Sequence, residues 1–475
     1  MAVKRKRRPQ RKRVGKVSYY FHHGSWWVYY LDGQRQVRRR TGPDEQVAEQ
    51  LAAQLNAQLT TAAPTMFSFS PLAVPELSRQ FLDHHEHVLR SSVATIRRYR
   101  SALKHLEDFA TRSRGQTQAH DIDPDRFVRY LRTIDVAPNG HKNAVKRKLR
   151  DKGVLFILEV CRNLYAFAGK KRHLPPYTEN PFTALAGSRF RIEDAKRIFV
   201  FDAQTELAFL KAAGTWDFPI FFTLSKSGVR SGELIHLLIE DLDLDGGWMH
   251  IRDKPDLGWR IKTRRGRSIP LTAELVAVLR HVIGTRAAGP VFVRERFVAD
   301  LAPLAGATRQ RMAQVLARRI DQAERQPAQA PDREAKARVA RSVWRDAGAV
   351  KADRIRLLFI RVARIVGLGE ATCPKSFRHS FATLLQDANV DPLIRQITLG
   401  HASSGTAGDA LGMTSIYTHT RPETQRQEIL RAVRLWPESL KLAERYVRGM
   451  EPQNVETASH PKNDHHEQRS DDYGI

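Results

Sequence analysis

The run Ser25-Trp26-Trp27-Val28-Tyr29-Tyr30-Leu31, followed by Asp32-Gly33 and then Gln36-Val37-Arg38-Arg39-Arg40, constrains the fold more than any other stretch of this chain. An aromatic-rich extended run, an Asp-Gly dipeptide that tolerates positive φ and a second extended run specify a β-hairpin. After Asp44 the pattern changes: Val47, Ala48, Leu51, Ala52 and Leu55 recur at helical spacing. A small sheet carrying one helix is therefore predicted near the N-terminus. Between Glu76 and Phe182 the period stays helical, with Leu103, Leu106 and Phe109 on one face, Phe127, Tyr130 and Leu131 after Pro124, and a long apolar helix over 145–167. Asn180-Pro181 closes that region, because the residue before a proline disfavours the α conformation. From Lys196 the reading is mixed, with helices at 204–213 and 219–224 and a hairpin made of 248–251 and 259–271. The expected fold class is mostly α with small β elements.

A chain of 475 residues at this composition is expected to form two or three domains. Residues 1–15 read as a basic flexible tail, 16–62 as the sheet-plus-helix module, and 63–75, with its Pro, Thr and Ser, as a linker. Residues 76–185 read as a helical domain, 195–447 as a mixed α+β domain, and 448–475 as a polar, disordered tail. The Arg- and Ala-rich tract 296–352, broken at Pro327 and Pro331, is a candidate insertion in the form of a helical pair.

Charge narrows the partners. Seventy-nine Lys and Arg against 51 Asp and Glu leave a net +28, which points to a polyanion and to nucleic acid first. A membrane is not expected: no apolar run reaches spanning length, and Lys4-Arg5-Lys6-Arg7-Arg8 has no apolar segment behind it. Cys161 and Cys373 make neither a disulfide framework nor a zinc spacing, which fits a reducing cytosolic compartment. His84-His85-Glu86-His87 lacks the His pair at i, i+4 of a zinc helix and reads as a solvated helix face. No metal and no cofactor are expected.

The chemistry concentrates further on. Gly228-Val229-Arg230-Ser231-Gly232-Glu233-Leu234 puts Arg230 on a glycine-bounded turn with Glu233 one turn along. Ile261-Lys262-Thr263-Arg264-Arg265-Gly266-Arg267-Ser268-Ile269-Pro270-Leu271 is crowded with cations. Cys373-Pro374-Lys375-Ser376-Phe377-Arg378-His379-Ser380-Phe381-Ala382-Thr383 precedes Leu399-Gly400-His401 and Ile416-Tyr417-Thr418-His419. Moving a DNA strand without metal or nucleotide means storing the phosphodiester energy in a covalent bond to protein, and a tyrosine oxygen can attack phosphorus and later leave. The transition state gathers negative charge on the non-bridging oxygens, which arginine meets with two parallel donors. The departing 5′ oxygen needs a proton, for which a lysine is suited.

In this order, these segments resemble the active site of the tyrosine recombinases, the phage integrase family. The resemblance covers residues 76–447 and is specific in 195–447, implying a tyrosine-recombinase catalytic domain there, a helical core-binding domain at 76–185 and an arm-type DNA-binding module at 16–62. It matches Arg230 and Arg378 to the two family arginines, Glu233 to a supporting carboxylate, His401 to a hydrogen bond with the phosphate and Tyr417 to the nucleophile, with Tyr446 as a rival. Lys262 matches the lysine that reaches the scissile site from a hairpin strand; Lys254 and Arg264 stay open as alternatives. Lys375 stands where His is commoner, so it serves either as an acid–base group or as a fixed charge. His379 matches a packing histidine. The Gly- and Ala-rich link 402–412 is longer than the family's usual one.

The resemblance implies a site-specific recombinase (integrase) acting through a 3′-phosphotyrosyl intermediate, for integration or excision of a mobile element. Its partners would be double-stranded DNA at attachment sites, three further copies in a homotetramer on synapsed DNA, and accessory DNA-bending proteins. It would be cytoplasmic and nucleoid-associated. Arg38, Arg39 and Arg40 in the N-terminal module and Arg97 and Arg98 in the helical domain are the candidate DNA contacts outside the catalytic residues. A type IB topoisomerase and a catalytically silent DNA-binding protein are the alternatives. A metal-dependent transposase would need a carboxylate cluster, for which no convincing set stands in the sequence.

Overall fold

Four strands, β1 (Arg11–Val14), β2 (Val17–His22), β3 (Ser25–Asp32) and β4 (Arg35–Gly42), form an antiparallel meander in chain order. The computed structural model describes residues 10–33, 35–61, 65–113, 118–137, 145–185, 190–194, 197–297, 302–325, 332–400 and 420–449. The basic run 4–8, the breaks at Pro327 and Pro331, His401, the link 402–412, Tyr417 and the tail from 450 lie outside the described residues. The described chain divides into two units between Asp194 and Arg197.

In the first unit the strand period of two sorts side chains by face. Val17, Tyr19, Val28 and Tyr30 turn inward and pack on Ala48, Ala52 and Leu55 of α1 (Glu45–Thr60), which Asp44 caps through its side chain. The expected tail 1–15 does not extend over Arg11–Val14, which is a strand, because its backbone pairs with Tyr20–Val17. The expected linker 63–75 is not free either. Thr65 is fully buried with its hydroxyl 3.2 Å from that of Tyr30, Met66 and Phe67 pack on the module's core, and Val74 already opens a helix.

That helix is α2 (Val74–Asp83), followed by α3 (Val93–Arg112), α4 (Pro124–Thr133) and α5 (Asp151–Lys170). Leu77, Phe81, Leu103, Leu106, Phe127, Leu158 and Leu164 form their common core. The long helix begins at Asp151 rather than near 145, because β6 (Arg147–Lys148) pairs with β5 (Asp135–Val136). The histidine run is a solvated face only in part: His87 is exposed, but His85 is not. His84–Val88 is a π-turn in which His85 packs on Phe81 and Tyr99 and bonds Ser91 at 2.8 Å.

The second unit contains α6 (Ala203–Lys211), α7 (Phe218–Ser227), α8 (Ser231–Leu234), the strands β7 (Leu242–Asp243), β8 (Trp248–Ile251) and β9 (Arg267–Pro270), and α9 (Ala273–Ile283). It continues through α10 (Arg309–Glu324), α11 (Arg333–Asp346), α12 (Ala352–Ile365), α13 (Lys375–Asp387) and α14 (Pro392–Leu399). After the undescribed stretch come α15 (Pro422–Val433) and α16 (Pro437–Val447). Phe201, Phe209, Phe221, Phe359, Phe377 and Phe381 lie at the centre of its core. A buried ion pair anchors α7, with Lys226 Nζ 2.8 and 3.1 Å from the Glu206 carboxylate and 2.6 Å from Ser439 Oγ.

Two sequence expectations change here. The second hairpin strand is β9 alone, because a 3₁₀ turn at Pro255–Leu257, the Lys254–Trp259 bridge and a turn with Arg264 at φ 53° occupy most of 252–266. The tract 296–352 supplies the helical pair α10–α11, and Val293 bridges Ala349 while Val350 N–H donates to Phe292 O at 3.2 Å. The chain thus leaves and returns at one place. The pair has its own apolar cluster, in which Met312, Leu316, Val343 and Trp344 pack on Leu238 and Leu257. Among the described residues no helix is long and apolar enough to cross a membrane.

Candidate active site

Glycine makes the Arg230 turn. α7 ends at Gly228 with φ 61°, and a Cβ there would stand 2.4 Å from the Phe381 ring, so both backbone and space require glycine. The chain then extends through Val229 and Arg230 and re-enters a helix at Ser231. Arg230 N–H donates to Glu233 Oε2 at 2.9 Å and its Nη1 donates to Oε1 at 2.8 Å, so Glu233 fixes both the start of α8 and the guanidinium.

Glu233 has a second partner that the sequence reading missed. Arg267, the first residue of β9, donates Nη1 and Nη2 to the same carboxylate at 3.0 and 2.6 Å and Nε to Thr398 O at 2.9 Å. Burial alone would raise the Glu233 carboxyl. Hydrogen bonds and charge from Arg267, then the bonds from Arg230, override it and hold the group at about 2. The signal for Arg267 was strand alternation: it shares a face with Ile269, and both are buried.

Arg378 arrives on α13. Its Nη1 donates to Gly228 O at 2.7 Å and its Nη2 to Leu399 O, so one guanidinium ties the Arg230 turn to the end of α14. Burial, then the charges of Arg230 and Arg267, push Arg378 down to about 9, with Glu233 acting the other way. Two guanidiniums thus bond one carboxylate and a third, Arg378, feels the charge of all three groups, a surplus that an incoming phosphate would neutralise. The Arg230 side chain is 26% exposed and Arg267 is 2% exposed, so Arg230 is placed to meet an external anion while Arg267 is placed to hold Glu233.

The other predicted residues sort by environment. Lys375 begins α13 one turn before Arg378 and is exposed. Lys262 is exposed on the turn ahead of β9 rather than on a strand. Lys254 is 1% exposed and paired with Asp241 at 2.8 Å under the Trp259 ring, so its ammonium is engaged inside the domain. Arg264 is exposed beside Lys262. His379 is not a satisfied packing histidine, since its Nε2 is buried without a hydrogen-bond partner. Tyr446 packs on Phe218 and His281, and burial raises its phenol.

The described residues flanking 401–419 are tied together. Gln425 on α15 is buried, and its Nε2 donates to Ser268 O at 3.1 Å and to Thr398 Oγ1 at 3.0 Å. Gly400 caps α14 at φ 63°, where a Cβ would meet the Arg267 guanidinium. Both flanks of that segment are therefore fixed on Arg267 and Ser268 of β9. Neither Thr398 nor Gln425 carries a sequence signal, because their bonds join residues far apart in the chain.

In the first unit, Arg38 and Arg40 lie on the open face of the meander with Arg11, Tyr20, Trp27 and Tyr29, and Arg11 and Arg38 sit over the Tyr29 ring. Arg39 takes the opposite face, in register with buried Val28 and over Phe67. Arg98 is exposed and stacks on Phe156 at 4.2 Å, and Arg97 is half-buried on α3. Among the described residues no group of His, Cys, Asp and Glu could hold a metal ion.

Residues 189–424 match the family model described as the phage integrase family. A search of curated proteins finds no match. Among solved structures, the Tn1549 transposon integrase in complex with circular intermediate DNA is similar over 75% of this chain and 99% of its own, at 15% identity and a TM-score of 0.45. A lambda integrase tetramer bound to a Holliday junction is similar over 81% and 95%, at 16% identity and a TM-score of 0.44. XerA recombinase is similar over 74% and 96%, at 19% identity and a TM-score of 0.30. The family match takes in Arg230, Glu233, Lys262, Lys375, Arg378, His401 and Tyr417 together, and through it this chain belongs to the phage integrase family of tyrosine recombinases.

Proposed function

We propose that this protein is a site-specific DNA recombinase that cuts and rejoins duplex DNA through a 3′-phosphotyrosyl intermediate. The observation that carries the reading is the cluster of Arg230 and Arg267 on the single carboxylate of Glu233, with Arg378 on the carbonyl of Gly228 that opens the same turn, within the family match. In the proposed reaction the Tyr417 hydroxyl loses its proton to solvent and its oxygen attacks phosphorus, forming an O–P bond as the bond to the 5′ oxygen breaks. Arg230 and Arg378 take up the charge that builds on the non-bridging oxygens. Two of the five N–H groups of Arg378 are spent on Gly228 and Leu399 carbonyls, which aims the rest. Lys262 gives the leaving 5′ oxygen its proton, and exposed Lys375 supplies further positive charge. A second 5′ hydroxyl then attacks the phosphotyrosine and releases the enzyme, so the bond energy is retained throughout.

His401 stands one residue after Gly400 and Tyr417 eight residues before Gln425, and both anchors belong to the arginine cluster's own framework. That tether supports Tyr417 over Tyr446, which is engaged in packing. The open face of the N-terminal sheet, with guanidiniums over tyrosines, suits contact with a second stretch of DNA. Four copies on two synapsed sites, with DNA-bending accessory proteins setting direction and the cytoplasmic nucleoid as location, complete the proposal. A covalent-adduct assay tests it: the protein is incubated in EDTA with nicked duplexes from the DNA flanking its own gene. A denaturation-resistant adduct and joined products with exchanged flanks are expected. An adduct without exchange, together with relaxation of a supercoiled plasmid carrying the same DNA, would make it a topoisomerase instead.

A further inference from the structure

α8 is four residues long, too short to hold its own direction, yet it carries Glu233 and follows Arg230 directly. One turn further along, His236 Nδ1 donates to Gly232 O at 2.7 Å, so the imidazole is fixed to the helix it ends. That ring lies between two tryptophans. Trp259 stacks on it at 4.8 Å and 17°, and Trp344 meets it edge-on at 4.7 Å and 88°. Trp259 belongs to the connection between β8 and β9, but Trp344 comes from α11 of the excursion between Val293 and Ala349.

The excursion is itself locked to this corner of the domain. Trp344 Nε1 donates to Leu257 O at 3.1 Å, and Arg309 grips the Asp256 carboxylate at 2.8 and 2.6 Å. At Gly258, with φ 69°, a Cβ would stand 2.5 Å from Ala340 of α11, so the helix rests directly on the turn backbone. Through His236 and its bond to Gly232 the arrangement bears on the segment that aims Arg230.

We propose that the helix pair α10–α11 is a brace for the Arg230 turn, with Trp344 and His236 as positioning residues for the cleavage step. The proposal rests on the reading of Arg230 as the arginine that meets the scissile phosphate. A guanidinium displaced by a fraction of an ångström loses transition-state stabilisation while the DNA contacts that set affinity stay in place.

The test measures strand cleavage on nicked duplexes that carry either a phosphate or a methylphosphonate at the scissile position. The methyl group removes one charged non-bridging oxygen, and with it much of the work of the arginine. On the phosphate, Trp344→Ala should cleave at least about tenfold more slowly than the wild type at unchanged DNA affinity. On the methylphosphonate its deficit should shrink to less than about twofold, in parallel with Arg230→Ala. Trp344→Phe, which keeps an aromatic edge, should recover most of the rate. If Trp344→Ala does not fold, His236→Phe takes its place, keeping the stack and losing the bond to Gly232, and the same pattern is expected. A wild-type rate on phosphate, or an equal deficit on both substrates, would overturn the brace. Normal cleavage by Arg230→Ala would instead sink the underlying assignment and the brace with it.

Discussion

Arg267 places its two terminal nitrogens against the two oxygens of Glu233, at 3.0 and 2.6 Å, with almost no water at either side chain. The pair joins the hairpin to the Arg230 turn, and through Thr398 O it also holds the end of α14.

The pair has a pH signature. The Glu233 carboxyl sits at about 2 in the folded protein against 4.5 for the free group. Because the folded value is depressed, the stabilisation is full above about pH 4.5 and disappears as pH falls towards 2, a contribution of about 3 kcal/mol. Glu233→Gln should cost about 3–5 kcal/mol at pH 7 by leaving Arg267 buried without its counter-charge. Urea unfolding at pH 7 and pH 3 checks this. The gap between wild type and variant narrows at pH 3, and an equal gap at both would refute the account.

Tyr417 and Tyr446 are separable. Tyr417→Phe should give no covalent adduct and bind DNA as the wild type does. Tyr446→Phe should retain the adduct and lose little stability, since its ring contacts with Phe218 and His281 survive. Denaturing gels of the two variants with the same nicked duplex decide between them.

The two lysines of the hairpin region should fail differently. Lys254→Met leaves buried Asp241 unpaired and should cost about 3–5 kcal/mol in chemical denaturation. Lys262→Ala should leave stability within about 0.5 kcal/mol and slow cleavage by about 10²–10⁴-fold. A substrate with sulfur in place of the bridging 5′ oxygen needs no proton on departure, so it should restore the rate of the Lys262 variant. No restoration would remove Lys262 as the donor.

The surplus of guanidinium charge around Glu233 should bind an anion without any DNA. At constant ionic strength, replacing chloride by sulfate should raise the Tm of the wild type by about 2–4 °C more than that of Arg230→Ala. Equal shifts would mean that sulfate acts only through general exclusion from the surface.

On the N-terminal sheet, Arg38→Ala and Arg40→Ala should each reduce the salt slope of DNA binding by about 1. Arg39→Ala should leave the slope alone and lower stability, because its side chain lies over Phe67 on the buried face. A change of slope for Arg39 equal to that of Arg38 would mean that both faces meet DNA.

Much of the site was legible because its signals are local. A glycine, an arginine two residues on and a glutamate three residues later define a cap, a turn and a helix start within one stretch of chain, and the structure builds them so. Arg267 was hidden among Lys262, Arg264 and Arg265, where residue type alone does not separate a buried cation from exposed ones. Its phase with Ile269 does separate them, once the strand is known. Lys254 stayed open beside Lys262 for a different reason: its partner Asp241 is brought to it only by the fold. The basic stretch 10–15 read as a tail because charge suggests solvation, while the pairing of its backbone with β2 depends on a strand beyond it. Contacts such as Gln425 to Thr398 have no sequence signal at all.

The meeting of Thr398 and Gln425 also bears on how the two ends of the site answer to one strand. Arg267 donates to Thr398 O, and Gln425 donates to Thr398 Oγ1 and to Ser268 O, so β9 is the common reference for the chain that leaves α14 and the chain that enters α15. A single change at Thr398, Gln425 or Arg267 therefore loosens both at once, and with them the hold on Glu233.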